Sequence, residues 1–330
     1  MSTNNTNIDK INKIRNIINN NKTFLVSGHI RPDGDCIGSA FAMTSVLNRI
    51  GKIAYFYCND NIPNSLKFLK SKFVKIKKTI KAIDMFDCTI TLDSSNFFRI
   101  DPHNKIHIKQ LGKIINIDHH SSHTDFGFIN YVVPKMSSTA ELVFGILNHM
   151  DIRLIKKEAE SLYVGILTDT GCFKQINTTS NSHIDCAKLM KYNININNIY
   201  KKIFEDFTIN TLKFHSIAIL NMKIMLNNKI SYTVITRNML VQNKVKREAI
   251  KGIVNYAFKI PSIMISCLFE EISNKLTKVS CRSALGFNVL EIMNKFNGGG
   301  HKNAAGCIIK QEINVAIKMV ILELKNKINL

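Results

Sequence analysis

The sequence predicts an α/β protein with two domains: a mostly parallel sheet covered by helices, then a smaller mixed-sheet α/β domain. Three observations predict this class. The chain has 330 residues, which is enough for two hydrophobic cores. Short apolar runs alternate with stretches whose apolar residues recur at helical spacing, as in βαβ units. Polar clusters follow several of the apolar runs, at the strand ends where open parallel sheets bind ligands.

The first domain is predicted to open with an amphipathic helix, because isoleucines recur at helical spacing from Ile8 to Ile18. Residues 1–8 are polar and are expected to be disordered. Short runs of β-branched and aromatic residues predict the strands, and longer amphipathic stretches predict the helices. The predicted strands are Phe24–Val26, Ile53–Cys58, Cys88–Leu92 and Lys113–Ile117. The predicted helices are Cys36–Arg49, ended by Gly51, then Ser137–Met150 and Lys156–Leu167.

A motif-free, Asn-rich helical stretch at residues 193–223 is predicted to connect the domains. The first domain then spans residues 1–192 and the second spans residues 224–330. In the second domain the sequence pattern predicts strands, helices, a glycine-rich segment, a short strand and a long final helix. Its predicted strands are Lys229–Thr236, Ser262–Glu271 and Lys275–Ser283, and its first predicted helices are Lys246–Phe258 and Asn288–Phe296.

The chain is strongly basic, with a formal net charge of +21. This charge fits a polyanionic partner, but it fits equally well a base-composition bias of the coding DNA, because the lysines form no single block. The eight cysteines are dispersed without a C-x-x-C pair, which argues against a zinc knuckle or a disulfide framework. No apolar run reaches the roughly 20 residues of a membrane helix, and the N-terminus does not resemble a secretory signal. A cytoplasmic location without membrane contact is therefore expected.

Four polar clusters carry the residue types of a metal site. They are S-G-H-I-R-P-D-G-D (Ser27–Asp35), T-L-D-S-S-N (Thr91–Asn96), I-D-H-H (Ile117–His120) and I-L-T-D-T-G (Ile166–Gly171). Three of them follow predicted strands and should meet at one edge of the sheet, whereas the fourth follows a predicted helix. Mixed carboxylate and imidazole ligands suit Mn²⁺ or Mg²⁺, and the nitrogen donors favour Mn²⁺.

Each cluster alone has an ordinary structural interpretation. The sequence P-D-G around Gly34 is a common turn, and taken alone that turn is the better interpretation. Asp93, His119 and Asp169 could each be a helix cap, a core histidine or a turn residue. All four clusters having such explanations at once is improbable. The clusters together therefore predict a two-metal phosphoryl hydrolase.

The four clusters resemble the motifs of the DHH phosphoesterase family, which is named for the triplet present here as Asp118-His119-His120. The matching segments are H-I-R-P-D-G-D-C-I-G-S, L-D-S-S-N, I-D-H-H-S-S-H and G-I-L-T-D-T-G-C-F, and their order and spacing also agree. The fourth motif departs from the expected pattern. It continues as F-K-Q from Phe173, so Lys174 follows Phe173 where an aromatic residue is expected. An aromatic residue there would stack on a base of the substrate. The departure therefore affects the predicted substrate preference and not the predicted metal-dependent hydrolysis.

The resemblance implies a role for each motif residue. One metal ion is expected on His29, Asp33 and Asp93, and the two ions would share a nucleophilic water. Asp93 is also the expected bridge to the second ion. The remaining expected ligands of that ion are Asp35, His119 and Asp169. His120 is expected to face the substrate as a catalytic residue together with Asp93, and Asp118 to orient a histidine.

The C-terminal part contains V-S-C-R-S (Val279–Ser283) and G-G-G-H-K-N-A-A-G (Gly298–Gly306). Three glycines let backbone N–H groups approach an anion, and an arginine can clamp a phosphate with two hydrogen bonds. Taken alone, the glycine run could equally be a flexible loop and the arginine a solvated strand residue. The pair resembles the DHH-associated domain of the same family. The expected substrate-binding residues are Arg282, Ser283, Gly298, Gly299, Gly300 and His301.

The resemblance is to the short bacterial branch with oligoribonuclease and 3′-phosphoadenosine 5′-phosphate (pAp) phosphatase activity. It implies an Mn-dependent hydrolase of short single-stranded RNA and mononucleotide bisphosphates, with the active site in a cleft between the domains and a possible homodimer. Family II pyrophosphatases end in a different second domain, and RecJ-type exonucleases are longer. The alternatives that stay open are a cyclic or linear dinucleotide phosphodiesterase, a pure 3′-phosphatase and a non-catalytic nucleic-acid-binding protein.

Overall fold

The structure is a computed structural model that describes residues 2–81, 83–102, 106–284 and 286–328. The side chains of residues 2–5, His301 and Ile328 lie outside the described part. The chain divides into two compact units, Met1–Asp206 and Phe207–Leu330. Their boundary falls within the predicted connector, while the predicted limits of the two domains stay a prediction. Among the described residues, no helix is long and apolar enough to cross a membrane.

The first unit contains a five-stranded parallel sheet with the strand order β2-β1-β3-β4-β5. Its strands are β1 (Thr23–Ser27), β2 (Ile53–Tyr57), β3 (Cys88–Leu92), β4 (Lys113–Asp118) and β5 (Ile129–Val132). Its helices are α1 (Ser2–Asn20), α2 (Gly34–Arg49), α3 (Thr139–His149), α4 (Lys156–Asp169), α5 (Ser180–Met190) and α6 (Ile196–Phe204). The parallel sheet confirms the predicted fold class.

The register of this sheet brings the carboxyl ends of its central strands to one edge. Ser27 of β1 pairs with Thr91 of β3, and Leu92 of β3 pairs with Ile117 of β4. Every residue of β3 is buried, as expected for a strand covered on both faces. The polar residues that follow β1, β3 and β4 therefore lie close together in space.

Helices α2 and α4 approach each other closely because glycines line their contact. A Cβ on Gly38 would lie 2.3 Å from the carbonyl oxygen of Ser161, and one on Gly34 would lie 2.2 Å from Oγ1 of Thr168. Neither position leaves room for a side chain, since carbon atoms normally pack at about 3.5–4.0 Å. These glycines hold Asp35, at the start of α2, next to the end of α4.

Three predictions for the first unit were wrong or incomplete. Helix α1 begins at Ser2, so most of the residues expected to be disordered are part of this helix. Strand β5 was missed, because its four residues form only a short apolar run after a polar loop. Helix α4 continues two residues beyond Leu167 and so includes Asp169.

The second unit contains a six-stranded mixed sheet with the order β10-β11-β9-β8-β7-β6, in which only β7 and β8 pair in parallel. Its strands are β6 (Lys223–Met225), β7 (Ile230–Ile235), β8 (Ile265–Ser273), β9 (Leu276–Ser283), β10 (Gly299–His301) and β11 (Ala304–Ile309). Its helices are α7 (Ile209–Leu220), α8 (Arg237–Gln242), α9 (Val289–Asn294) and α10 (Ile313–Ile328). A core of strand residues packs against α9 and α10.

The helix predicted over Lys246–Phe258 is instead two short 3₁₀ turns, Arg247–Ile250 and Ile253–Lys259. Gly252 lies between them with a φ of 88°, in the left-handed region that ends an α-helix. The glycine run also differs from a flexible loop. Gly299 pairs with Gly306 and Gly300 with Ala305, so the run forms an edge strand.

Candidate metal centre

The structure brings the four polar clusters of the first unit together. His29 lies in the loop after β1, Asp93 directly follows β3, and His119 and His120 directly follow β4. Asp169 is the last residue of α4. The backbone of Asp93 has a φ of 59°, a left-handed conformation that is costly for a residue other than glycine and that is typical of functional sites.

Short distances connect these side chains. Nε2 of His29 lies 3.3 Å from Oδ2 of Asp93, and Nε2 of His119 lies 3.6 Å from Oδ1 of the same carboxylate. Nε2 of His119 is also 3.5 Å from Oδ2 of Asp169 and 3.9 Å from Oδ2 of Asp35. One carboxylate therefore lies between two imidazoles that point their Nε2 atoms toward it.

Within the part of the chain that the structure describes, three overlapping groups of side chains could each hold a metal ion, with all ligand atoms of a group within 4.8 Å of one another. Two groups share Asp93, and two share His119. The groups are His29, Asp33 and Asp93; Asp35, His119 and Asp169; and Asp93, His119 and His120. The residues predicted to hold the first ion form one group, and three of the four predicted for the second ion form another, without Asp93.

The histidines fall into two kinds by their hydrogen bonds. His29 places Nδ1 2.7 Å from the carbonyl of Ile30, and His119 places Nδ1 3.3 Å from the carbonyl of Met136. A carbonyl only accepts, so each Nδ1 carries the proton and each Nε2 has its lone pair directed at the carboxylates when the ring is neutral. This is how metal-binding histidines are usually oriented.

His120 is held differently. Its Nδ1 lies 2.6 Å from Oδ1 of Asp118, and the backbone N–H of His119 donates to that same oxygen at 2.9 Å. Asp118 is fully buried at the end of β4 and therefore fixes both neighbours of the triplet. Nδ1 of His120 thus contacts a carboxylate, whereas Nδ1 of His29 and of His119 contacts a backbone carbonyl.

Each carboxylate has hydrogen-bond donors of its own. Oδ1 of Asp33 caps α2 by accepting from the backbone N–H of Asp35 and of Cys36. The two oxygens of Asp35 accept from the first backbone N–H groups of α3, those of Thr139 at 2.6 Å and Ala140 at 2.8 Å. The positive end of the helix dipole also favours a carboxylate at that position.

Two residues that contact the carboxylates were not predicted. Oγ1 of Thr139 donates to Oδ1 of Asp93 at 3.1 Å, and Nδ2 of Asn177 donates to Oδ2 of Asp169 at 3.1 Å and to the carbonyl of Ser137 at 2.8 Å. A signal for Thr139 was present, since Ser138 and Glu141 show the S-x-x-E spacing of a helix start. The sequence around Asn177 offers no comparable signal.

Burial and mutual repulsion dominate the electrostatics of the site. Burial is the main cause that raises the pKa of Asp169 to about 7; the charge of His119 opposes this rise, and the charges of Asp93 and Asp33 add to it. Burial, followed by the charge of Asp93, also raises the pKa of Asp35 well above its usual value. Burial works against the charged form of Asp93 too, yet the hydrogen bond and charge of His29 outweigh it and lower the pKa of Asp93.

The two titrating histidines respond to these carboxylates. Burial lowers the pKa of His29, but its hydrogen bond to Asp93 and the charge of that carboxylate outweigh burial and raise the pKa overall. Burial likewise lowers the pKa of His120, and the hydrogen bond to Asp118 then raises it to about 9. Four carboxylates gather here, and two of them, Asp35 and Asp93, are buried. Such a group needs positive charge, so the donor set fits divalent cations.

In the second unit, two of the predicted substrate-binding residues lie on strands on either side of β11. The backbone of Arg282 on β9 pairs with Ala304 on β11, which pairs with His301 on β10. The side chain of His301 lies outside the described part. Burial lowers the pKa of the half-buried Arg282 guanidinium, and no carboxylate among the described residues lies within ion-pair distance of it. A buried cation without a counter-charge is suited to an anionic ligand.

The other predicted substrate residues are backbone elements or are already engaged. The hydroxyl of Ser283 donates to the carbonyl of Phe287 at 2.8 Å and accepts from the side chain of Asn303 at 3.0 Å. Gly298 contacts strand backbone so closely that a Cβ would lie 2.5 Å from the carbonyl oxygen of Gly306. Gly299 and Gly300 lie in the edge strand β10.

Comparisons with known proteins agree with both units. The model of the DHH family N-terminal domain matches residues 23–166, and the model of the DHHA1 domain matches residues 227–326. The chain is 25% identical over 296 residues to the Thermus thermophilus bifunctional oligoribonuclease and PAP phosphatase NrnA, covering 86% of this chain and 83% of that protein. It is 26% identical over 290 residues to the Bacillus subtilis protein of the same name, covering 87% and 89%.

A solved structure supports the fold over the whole chain. The crystal structure of an exopolyphosphatase-related protein from Bacteroides fragilis superposes with a TM-score of 0.91 at 27% sequence identity and covers 96% of both chains. Together with the two domain matches, this confirms the family resemblance drawn from the motifs. The chain belongs to the DHH phosphoesterase family, with a DHH domain followed by a DHHA1 domain, and is a hydrolase that acts on phosphoester bonds.

Proposed function

We propose that the protein is an Mn-dependent phosphoesterase that hydrolyses short oligoribonucleotides from one end and converts pAp to AMP. The observation that carries this proposal is the arrangement of ligand atoms around Asp93, which belongs to two of the three candidate metal groups. The names of the relatives from Thermus thermophilus and Bacillus subtilis support the substrate class. The basic character of the chain is compatible with a polyanionic substrate.

The first ion would be held by His29, Asp33 and Asp93, with Asp93 bridging to the second. The second ion would be held by Asp35, Asp93, His119 and Asp169. Bound divalent ions would supply an activated water at neutral pH and would neutralise charge on the phosphoryl oxygens. Two imidazole ligands favour Mn²⁺ over Mg²⁺, because Mg²⁺ prefers oxygen donors.

His120 would act on the substrate side of this centre. Its bond to Asp118 fixes the ring, so that the imidazole can donate a hydrogen bond to a phosphate oxygen of the substrate. Asp118 would contribute by positioning His120 and not by contacting the reacting atoms.

Arg282 and the β10–β11 hairpin would bind the substrate. The half-buried guanidinium can clamp a phosphate, and the backbone of Gly299 and Gly300 can approach an anion without side-chain obstruction. Gly298 would have to give up the bond from its N–H to the carbonyl of Met293 to take part. Ser283 and His301 complete the proposed set, with Ser283 giving up one of its present hydrogen bonds when it contacts substrate. Binding through phosphate and backbone would be independent of base sequence.

The experiment is hydrolysis of a substrate panel with Mn²⁺: pAp, pApA, a five-nucleotide RNA, a long single-stranded RNA and pyrophosphate. We expect cleavage of pAp and the short RNAs and loss of cleavage in Asp93→Ala and His119→Ala. Asp206→Ala and His149→Ala make the same chemical changes at exposed positions and should keep activity. Cleavage of none of these compounds, or full activity in the two site variants, would contradict the proposal.

The same panel separates the alternatives. Cleavage of pApA without pAp or the five-nucleotide RNA would favour a dinucleotide phosphodiesterase. RNA binding without any cleavage would favour a nucleic-acid-binding protein. Arg282→Ala should raise KM for nucleotides while leaving Mn²⁺ affinity unchanged, with the exposed Arg237→Ala as its control. Equal loss of Mn²⁺ binding in Arg282→Ala would rule out the clamp. The cytoplasmic location and the homodimer stay predictions.

A further inference from the structure

A cavity of about 580 Å³ lies between helix α1 and the edge strand β5 of the first unit. This volume is in the range of small-molecule sites, roughly 300–1,000 Å³. Its apolar surface is formed by Ile17, Phe128 and Ile129. Its polar rim is formed by Lys10, Lys13, Asn16, Asp125 and Asn130. None of these residues belongs to the metal centre or to the predicted substrate residues.

The cavity is displaced along the sheet from the metal centre. Ile129, at the start of β5, pairs with Ile115 near the start of β4, and the strands run parallel. His119 follows the other end of β4, which spans Lys113–Asp118. Ile115 is three residues from Asp118, which is roughly 10 Å along the strand at about 3.3 Å per residue. The cavity is therefore a separate site and not an extension of the metal centre.

Phe128 is presented to solvent by an ordered loop. Its side chain is 67% exposed, which is unusual for phenylalanine. The preceding residue is fixed, because the side chain of Asn130 accepts from the N–H of Gly127 at 3.0 Å and donates to its carbonyl at 2.8 Å. A Cβ on Gly127 would lie 2.8 Å from the carbonyl oxygen of Ile129, so this turn tolerates no side chain. The exposure of the ring is thus built into the loop.

One ammonium group lies over this ring, and two more line the same cavity. Nζ of Lys113 lies 5.2 Å from the centre of the Phe128 ring, and Lys10 and Lys13 line the cavity one helical turn apart. Nζ of Lys10 donates to the carbonyl of Asn130 at 2.8 Å, which anchors that charge beside the loop. Among the described lining residues the acidic one is Asp125, which lies 3.4 Å from Nε2 of His123. The surroundings of the ring are therefore basic.

We propose that this α1–β5 cavity is a second binding site for single-stranded RNA, in which one base stacks on Phe128 and adjacent phosphates contact Lys10 and Lys13. An exposed aromatic ring between ammonium groups is the combination with which proteins bind single strands without base preference. The inference rests on the proposed function for its ligand class, RNA. Because none of its lining residues belongs to the metal centre, it would act on oligonucleotides, which offer several bases, and not on pAp.

The chain contains no tryptophan, so Phe128→Trp introduces a single fluorescent probe at the cavity. In the full chain, a five-nucleotide RNA should quench this fluorescence at the concentration at which the labelled RNA binds by anisotropy. One titration is done with EDTA, which keeps the RNA intact. A second measurement uses stopped flow with Mn²⁺ and records the fluorescence before the RNA is cleaved. We expect pAp to quench only at concentrations more than about tenfold higher, since it supplies a single base and no chain. RNA binding without quenching, or no RNA binding, would overturn the proposal.

Variants of the cavity residues measure how much each contributes to RNA binding. Phe128→Ala should weaken binding of the five-nucleotide RNA by about 5- to 100-fold, the range for loss of one stacked base. The double change Lys10→Gln and Lys13→Gln should flatten the dependence of log K on log salt by about 1.4, or 0.7 for each phosphate contact in a single strand.

The matched control is the double change Lys318→Gln and Lys325→Gln, at exposed positions two turns apart on α10. It should leave the salt dependence unchanged, and kcat/KM for pAp should stay within twofold in every variant. An equal change in slope in the control would overturn the proposal. Failure of the proposed function is distinguishable, because a protein that cleaves nothing could still show quenching by RNA.

Discussion

Gly165 lies where three helices meet beside the metal centre, and its replacement by alanine tests how closely they must pack. A Cβ at this position would lie 2.4 Å from Cβ of Ala140 and 2.9 Å from Oδ1 of Asp35. Carbon atoms pack at about 3.5–4.0 Å, so α4 would have to move from α3 by roughly 1 Å. That movement would pull on the hydrogen bond from the Ala140 N–H to Asp35.

The expected cost combines two opposing effects. Overpacking of a core typically costs about 1–3 kcal/mol. Alanine is favoured over glycine in a helix by about 1 kcal/mol, which offsets part of that cost. The net loss in the free energy of unfolding is then about 0–2 kcal/mol, or up to roughly 8 °C in Tm for a domain of this size. Displacement of Asp35 should weaken Mn²⁺ binding by about 10-fold or more.

Gly145→Ala is the matched control. Gly145 lies on the exposed side of α3, and a Cβ there would meet no atom within 4 Å. This variant should gain about 0.5–1 kcal/mol in stability and keep its Mn²⁺ affinity. Thermal unfolding with EDTA and calorimetric titration with Mn²⁺ measure both quantities. If Gly165→Ala behaves like Gly145→Ala in both experiments, close packing does not position Asp35 and the reasoning is refuted.

Three further predictions concern the carboxylates. Asp93→Asn should lower Mn²⁺ affinity and kcat by more than about 100-fold. That is the upper range for residues that only orient a metal ligand. A smaller loss would exclude Asp93 as the residue that bridges the two ions. Asn177→Ala should weaken Mn²⁺ binding by about 10- to 100-fold in calorimetry, while unchanged affinity would show that its bond to Asp169 is dispensable. The raised pKa values of Asp35 and Asp169 imply that the metal-free folded protein holds protons that the unfolded chain has lost. The free energy of unfolding of the metal-free protein should therefore fall as pH rises from about 4 to about 7. Mn²⁺ binding should release protons, so Mn²⁺ affinity should rise between pH 6 and pH 8. Equal Mn²⁺ affinity at pH 6 and pH 8 would contradict this.

The sequence was sufficient to predict the proximity of site residues that lie at the ends of strands. Asp93 and Asp118 come directly after buried apolar runs, and parallel strands end at one edge, so their proximity could be derived. Asn177 could not be found in this way, because it lies in a loop whose path depends on the packing of α4 and α5. The prediction of one helix over Lys246–Phe258 failed for a local reason, since Gly252 adopts a left-handed backbone that apolar periodicity does not reveal.

The hydrogen bonds of the carboxylates explain how the predicted ligand side chains can be held close together. Asp33 caps α2, Asp35 lies on the first N–H groups of α3, Thr139 donates to Asp93, and Asn177 donates to Asp169. Each of these donors belongs to the scaffold and remains in place when the site is metal-free. Fixed donors keep the ligand atoms near their working positions, which reduces the reorganisation that binding would otherwise require. The site should therefore bind ions to a preformed arrangement, unlike small zinc domains in which the metal itself drives folding.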